Sequence, residues 1–139
     1  MTIYNLGSIN VDHVYRLAHM PQPGETMASR DYTQGLGGKG ANQSVAVARA
    51  GVRVVHIGAI SAQAEDWVLD RLGEYGVDTT HVARLPHVAS GHAIILLDVA
   101  GENAIILHSG ANGRLDRAAV EQALAGIGPG DTLLLQNET

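Results

Sequence analysis

The 139-residue sequence contains no cysteine, which removes disulfides, thiolate catalysis and sulfur-ligated metals from consideration. Phenylalanine is also absent and aromatic residues reach only 4%, so a core must be assembled mainly from Val, Ile, Leu and Ala. No apolar run approaches the ~18 residues of a membrane span. The amino terminus, Met1-Thr2-Ile3-Tyr4-Asn5-Leu6, lacks the basic region and long apolar segment of a secretory signal. A cytoplasmic address is the expectation by elimination, with no membrane partner. Positive charge is scarce as well, with 9 Lys and Arg against 14 Asp and Glu for a net charge of -5. These cations are scattered, so a phosphate-tracking surface is not expected and nucleic acid is excluded as a partner.

The length suits one domain with a single core. A hydrophobic content of 45% and a charged content of 17% are ordinary for a soluble globular protein. The 17 glycines exceed the average and point to tight turns, or to a place where backbone approaches a ligand.

Ile3 to Ile9 reads as a first strand. From Val11 to Gln34 the chain alternates loosely, and Pro21, Pro23 and Gly24 divide it into two extended pieces around a turn. Gly35 to Gly40 is a glycine-rich bend into a helix from Ala41 to Ala50, stopped by Gly51. Val52 to Ile60 is a second apolar strand, and Glu65 to Tyr75 an amphipathic helix that buries Val68, Leu72 and Tyr75. Gly91 to Val99 and Asn103 to His108 form an antiparallel hairpin. Asp116 caps a helix through Ala125. Asp131 to Gln136, with three consecutive leucines, reads as a strand buried on both faces. Alternating strands and helices imply an α/β fold with a parallel sheet. Segments 11–34 and 91–108 break that rhythm and read as a small antiparallel sheet beside the main one.

The run Gly35-Leu36-Gly37-Gly38-Lys39-Gly40 formally matches G-x-G-x-x-G, but its approach is polar and no strand-end acid follows about 20 residues on. It also fails as a Walker A loop, because Gly40 stands where Ser or Thr is needed. Read by itself, it is either a flexible turn or a corner whose helix-start amides, with Lys39 and Asn42, face ligand oxygens. Asn10 and Asp12 lie two apart at the end of the first strand, so in extended chain they share a face. Such a pair could grip neighbouring hydroxyls of a polyol, or simply make a polar strand exit. Glu138 follows the last strand at the same carboxyl edge, where parallel sheets bind ligands, and a solvated loop acid is the alternative. The seven histidines show no metal-binding spacing, and no metal site is assigned.

Together these segments resemble the ribokinase-like carbohydrate kinase family along essentially the whole chain. Gly7-Ser8-Ile9-Asn10-Val11-Asp12 is similar to its opening strand, Pro23-Gly24-Glu25 to its turn, and Gly37-Gly38-Lys39-Gly40-Ala41-Asn42-Gln43 to its first signature. Gly101-Glu102-Asn103, Gly110-Ala111-Asn112 and Gln136-Asn137-Glu138 follow in the family's order. The resemblance implies a sugar pocket lined by Asn10, Asp12, Gly38, Lys39, Asn42 and Glu138. It implies that 11–34 and 91–108 form a β-lid that covers the sugar and pairs two subunits into a homo-oligomer. The reaction implied is phosphoryl transfer from ATP with Mg²⁺ to the terminal hydroxyl of ribose or a similar pentose.

Two departures accompany the match. The family's Gly-Asp-Asp turn is replaced by Ser61-Ala62-Gln63-Ala64-Glu65-Asp66, and the family's second signature, with its catalytic Asp, has no counterpart. Residues 1–139 are therefore expected to be the amino-terminal, sugar-binding part of the fold, without the ATP site or catalytic base and inactive alone. ATP and Mg²⁺ belong to the complete protein in this reading, and no catalytic residue lies in this chain. The rivals are a nucleoside or other sugar kinase of the family, and a non-catalytic sugar-binding or assembly module.

Overall fold

A computed structural model of the chain describes residues 1–63 and 66–139. Eight strands form two four-stranded sheets. In chain order the elements are β1 (Thr2–Leu6), β2 (Asn10–Arg16), β3 (Asp31–Gly37), α1 (Lys39–Arg49), β4 (Arg53–Ser61), α2 (Asp66–Glu74), β5 (Val77–Leu85), β6 (Gly91–Leu97) and β7 (Asn103–His108). A short 3-10 turn (Gly110–Arg114), α3 (Arg117–Leu124) and β8 (Thr132–Leu135) complete the chain. The first sheet runs β5-β4-β1-β8 and all of its pairings are parallel. The second runs β3-β2-β6-β7.

The second sheet is mixed, which corrects the expected antiparallel one: β2 pairs antiparallel with β3 but parallel with β6. The cause is connectivity, since the chain returns to the first sheet through α1, β4, α2 and β5 before it enters β6. Asn10 and Asp12 also move, because they open β2 instead of closing β1. Gly7 makes the last bond to β4, from its N–H to Ile57 O at 3.0 Å. Beyond it, Ser8 O accepts from Ala41 N–H and Ile9 N–H donates to Asn112, so the backbone leaves the first sheet there.

Centrality explains β4, which is buried from Val54 to Ser61 between two parallel neighbours. Its core contact is with the apolar stripes of two helices, Ala41 with Val45 and Ala48 from α1, and Val68 with Leu72 from α2. Gly51 follows α1 with φ 80°, and its N–H closes the last turn on Ala48 O. Asp116 caps α3 by accepting from Ala119 N–H at 2.8 Å. The expected helix start at Glu65, and part of the altered Ser61-to-Asp66 stretch, lie outside the described residues.

Two sequence expectations fail here. β5 went unread because Asp78, Thr79, Thr80, His81 and Arg84 interrupt its apolar pattern, as suits an edge strand with one wet side. β8 is not buried on both faces, with Leu133 39% and Leu135 57% exposed. It is the other edge of the same sheet, paired only with β1.

Candidate functional site

The two sheets meet at the carboxyl end of β1, and a cavity of about 210 Å³ lies at that junction. Asn10, Asp12, Gly38, Lys39, Asn42 and Glu138, the residues singled out from the sequence, all line it. Each arrives from a different constraint. Asn10 and Asp12 share a face of β2, where they pair with Gly91 and Ala93 of β6. Lys39 and Asn42 stand in the first turn of α1, and Glu138 follows β8. Gly38 joins β3 to α1 with φ 95°, and a Cβ there would stand 2.6 Å from Ser8 O. Only glycine satisfies both conditions. Gly37 serves a different need, since a Cβ on it would strike the Asp12 carboxylate.

The electrostatics differ across the cavity. On one side Glu138 is already satisfied, because one carboxylate oxygen accepts from Lys39 Nζ and the other from Ser8 Oγ at 3.0 Å. The Lys39 hydrogen bond, helped by Ser8, holds the Glu138 carboxyl below its usual range against the opposing effect of burial. On the other side Asp12 makes no hydrogen bond among the described residues, and burial pushes its carboxyl up, opposed in part by His13. A ligand with hydroxyl groups would supply the donors that Asp12 lacks.

The helix start differs from the ligand-facing corner considered above. Ala41 N–H donates to Ser8 O at 2.9 Å, Asn42 N–H to Gly38 O at 2.9 Å, and Gly40 N–H faces Ser8 Oγ. The Ala41 and Gly40 amides tie the glycine-rich segment to the end of β1, the Asn42 amide closes the first helical turn, and none of the three is left to cradle a phosphate. The charge of Lys39, the cation of this lining, is already balanced by Glu138, so the residues present do not fit a nucleoside triphosphate. Among the described residues, no cluster of His, Asp or Glu is placed to hold Mg²⁺.

Beneath the site lies a buried polar chain. Asn5 Nδ2 donates to Gly40 O at 2.8 Å and to Ser44 Oγ at 2.9 Å, and Ser44 lies 2.7 Å from His56 Nδ1. His56 Nε2 lies 3.0 Å from Gly7 O. A carbonyl only accepts, so Nε2 carries the proton and Nδ1 accepts from the Ser44 hydroxyl. Burial lowers His56 to about 4, opposed in part by the Gly7 bond, so the ring is neutral near pH 7.

Sequence reasoning missed several participants. Ser8 and Asn112 hold Glu138 and Asn10; both stand within motifs quoted above, but nothing in those motifs shows what their side chains touch. Ala93 and Ile95 from β6, with Ile105 and Leu107 from β7, form an apolar wall. Their i, i+2 spacing in the recognised hairpin was the available signal. A second cavity, of about 270 Å³, adjoins the first and shares Asn10, Leu107 and Glu138.

This architecture and sequence match known proteins. Residues 2–137 match the model of the pfkB family carbohydrate kinases. The chain is 40% identical to a ribokinase of Haemophilus influenzae, over 99% of this chain and 45% of that protein. It is also similar to the ribokinase of Cryptococcus neoformans var. grubii serotype A solved with ADP, at 38% identity and a TM-score of 0.79, over 99% of this chain and 41% of that one. Against the ribokinase of Arabidopsis thaliana complexed with ribose and ATP, the identity is 26% and the TM-score 0.80, over 99% of this chain and 45% of that one. The chain thus spans less than half the length of these relatives. Over that span the chain belongs to the pfkB family of carbohydrate kinases.

Proposed function

We propose that this chain supplies the sugar-binding part of an ATP-dependent kinase that phosphorylates ribose or a similar pentose at its terminal hydroxyl. The observation that carries the reading is the convergence of Asn10, Asp12, Gly38, Lys39, Asn42 and Glu138 on one cavity at the carboxyl edge of a parallel sheet. The lining complements a polyol: two carboxylates accept, Lys39 and the Asn10 amide nitrogen donate, and the Asn42 carboxamide does both. The apolar wall from β6 and β7 would cover the carbon face of the ring. Segments 11–34 and 91–108 would act as a lid that excludes water and aligns the hydroxyl with the phosphoryl donor. The back of the lid would pair two copies of the chain.

In this reading ATP and Mg²⁺ are held outside residues 1–139, and these residues bind and orient the sugar. The kinases similar to this chain have been solved with ADP, or with ribose and ATP. The test is calorimetric titration of the protein, as its gene encodes it, with a panel of monosaccharides, followed by phosphoryl-transfer assays with ATP and Mg²⁺. Tight binding and turnover of a pentose are expected. Residues 1–139 alone should give no transfer above background. A protein that binds no monosaccharide would sink the reading. A sugar bound without transfer, from a gene that stops after Thr139, would favour the non-catalytic module.

A further inference from the structure

Asn112, in the 3-10 turn after β7, has no role in the sugar reading above, yet it is 2% exposed and its whole amide is engaged beside the cavity. Its Oδ1 accepts from Ile9 N–H at 2.9 Å. Its Nδ2 donates to Ile9 O at 3.1 Å and to Asn10 Oδ1 at 2.8 Å. A backbone N–H can only donate and a carbonyl can only accept, so Ile9 determines which end of the Asn112 amide is which. The constraint passes one residue further. Whatever atom of Asn10 faces Asn112 Nδ2 must be an acceptor, so Asn10 Nδ2 is turned the other way. That Nδ2 has no protein partner among the described residues, on a side chain that lines the cavity. Gly91 makes the contact possible, because a Cβ there would collide with both Asn112 Nδ2 and Asn10 Oδ1.

We infer that Asn112 is a positioning residue for sugar binding, which sets the polarity of Asn10 so that a donor faces the ligand beside the acceptor Asp12. The inference rests on the sugar-binding reading. It adds a specificity rule: the wall of β2 offers one donor and one acceptor in fixed order. A sugar that lacks the oxygen met by Asn10 loses a bond that Asn10 cannot replace by turning over.

Asn112→Asp tests this with almost no change of shape. The new carboxylate still accepts from Ile9 N–H, but it sets an oxygen against both Ile9 O, which costs stability, and Asn10 Oδ1, which acts on the ligand side. Asn10 must then rotate its amide to donate, which brings Oδ1 to the ligand. Ribose affinity measured by calorimetry should fall about tenfold, the upper end for one neutral hydrogen bond. In an Asn10→Ala background the same substitution should weaken binding less than about twofold, because both changes act on one bond. Ala111→Gly is the control for a purely structural role. It loosens the same buried turn without touching Asn10, and should lower the melting temperature while ribose affinity holds. Additive losses in the double variant, or an equal loss of affinity in Ala111→Gly, would overturn the inference alone. Wild-type protein that binds no monosaccharide would overturn the sugar reading and this inference with it.

Discussion

The two sheets have equal numbers of strands and opposite relations to water. In the first, β4 is buried from Val54 to Ser61 and receives α1 and α2 against it. In the second, every residue of β7 is exposed, including Ile105, Ile106 and Leu107 at 53–62%. The apolar content of β7 is no lower than that of β4; what differs is the cover. Around β4 the first sheet is a core that its own helices cover, whereas the second presents one apolar face to a cavity and the other to an open groove and solvent. Stability should therefore reside in the first sheet, and substitutions in the second should change recognition more than folding.

The largest expected effect sharpens that contrast from the core side. Leu72, fully buried on α2, packs into the cluster with Val54, Ile60 and Val77. Leu72→Ala should destabilise the fold by about 2–5 kcal/mol through lost transfer energy and the cavity left behind. Urea titration would measure this, and a loss under 1 kcal/mol would mean that the helices do not complete the core.

The next effect comes from His56, which ties β4 to the end of β1 beneath the site. Its folded-state value of about 4 lies below the ordinary 6.5, chiefly because of burial. The unfolded chain therefore takes up the proton first, and stability falls as pH drops from about 6.5 to about 4. The full loss is about 3 kcal/mol, with no further change from this group at lower pH. His56→Gln should remove that part of the pH dependence, seen as the wild-type minus variant difference in urea melts between pH 7 and 4. Parallel curves for the two proteins would show that the ring is not neutral in the fold.

Asp12 should show the reverse pattern, a large effect on binding and little on folding. Burial disfavours its charge, and His13 offsets this only in part. Asp12→Asn should then melt no lower than wild type, yet bind ribose about 2 kcal/mol more weakly, the range for a hydrogen bond to a charged group. Acidification gives an independent view. Asp12 is raised and Glu138 lowered relative to their usual ranges, so protonation of Asp12 should end sugar binding first. A binding profile that Asp12→Asn leaves unshifted would remove Asp12 from the site.

How far the sequence was legible follows the same division. Local grammar was readable: Gly51 ends α1, Asp116 caps α3, and the turn after Val99 joins β6 to β7. What needed the neighbours was not. β5 is an edge strand with polar residues on its wet side, so its periodicity was weak. Leu133 to Leu135 read as doubly buried, but burial depends on what flanks β8 and not on its composition. Likewise, Asn10 and Asp12 were correctly seen to share a face, while the strand to which they belong changed, because two residues decide where the backbone leaves one sheet for another. The candidate site residues converge on one cavity, yet the contacts of Ser8 and Asn112 were unreadable, since a hydrogen bond across 103 or 130 residues has no local signature.

The smallest expected effect on stability tests the exposed side of the comparison. Ile106 of β7 is 62% exposed and pairs across the sheet with Ile94. Ile94 and Leu96 line a groove of about 490 Å³ with Tyr15, Leu17 and Met27, on the face opposite Asp12 and Ala93. β7 is also a sheet edge, with backbone groups available to another chain. In the proposed function this face pairs two copies, so Ile106→Ser should change monomer stability by less than about 0.5 kcal/mol, as expected for a solvent-facing position. Its consequence should be in mass: size exclusion coupled to light scattering should show a wild-type dimer that the variant dissociates. Ile105, one residue earlier, lines the candidate cavity with Asp12 and Ala93. Ile105→Ser should leave the dimer intact and weaken sugar binding instead. A wild-type protein that is monomeric across the micromolar range, or an Ile105 variant that dissociates while the Ile106 variant does not, would reverse the assignment of the two faces.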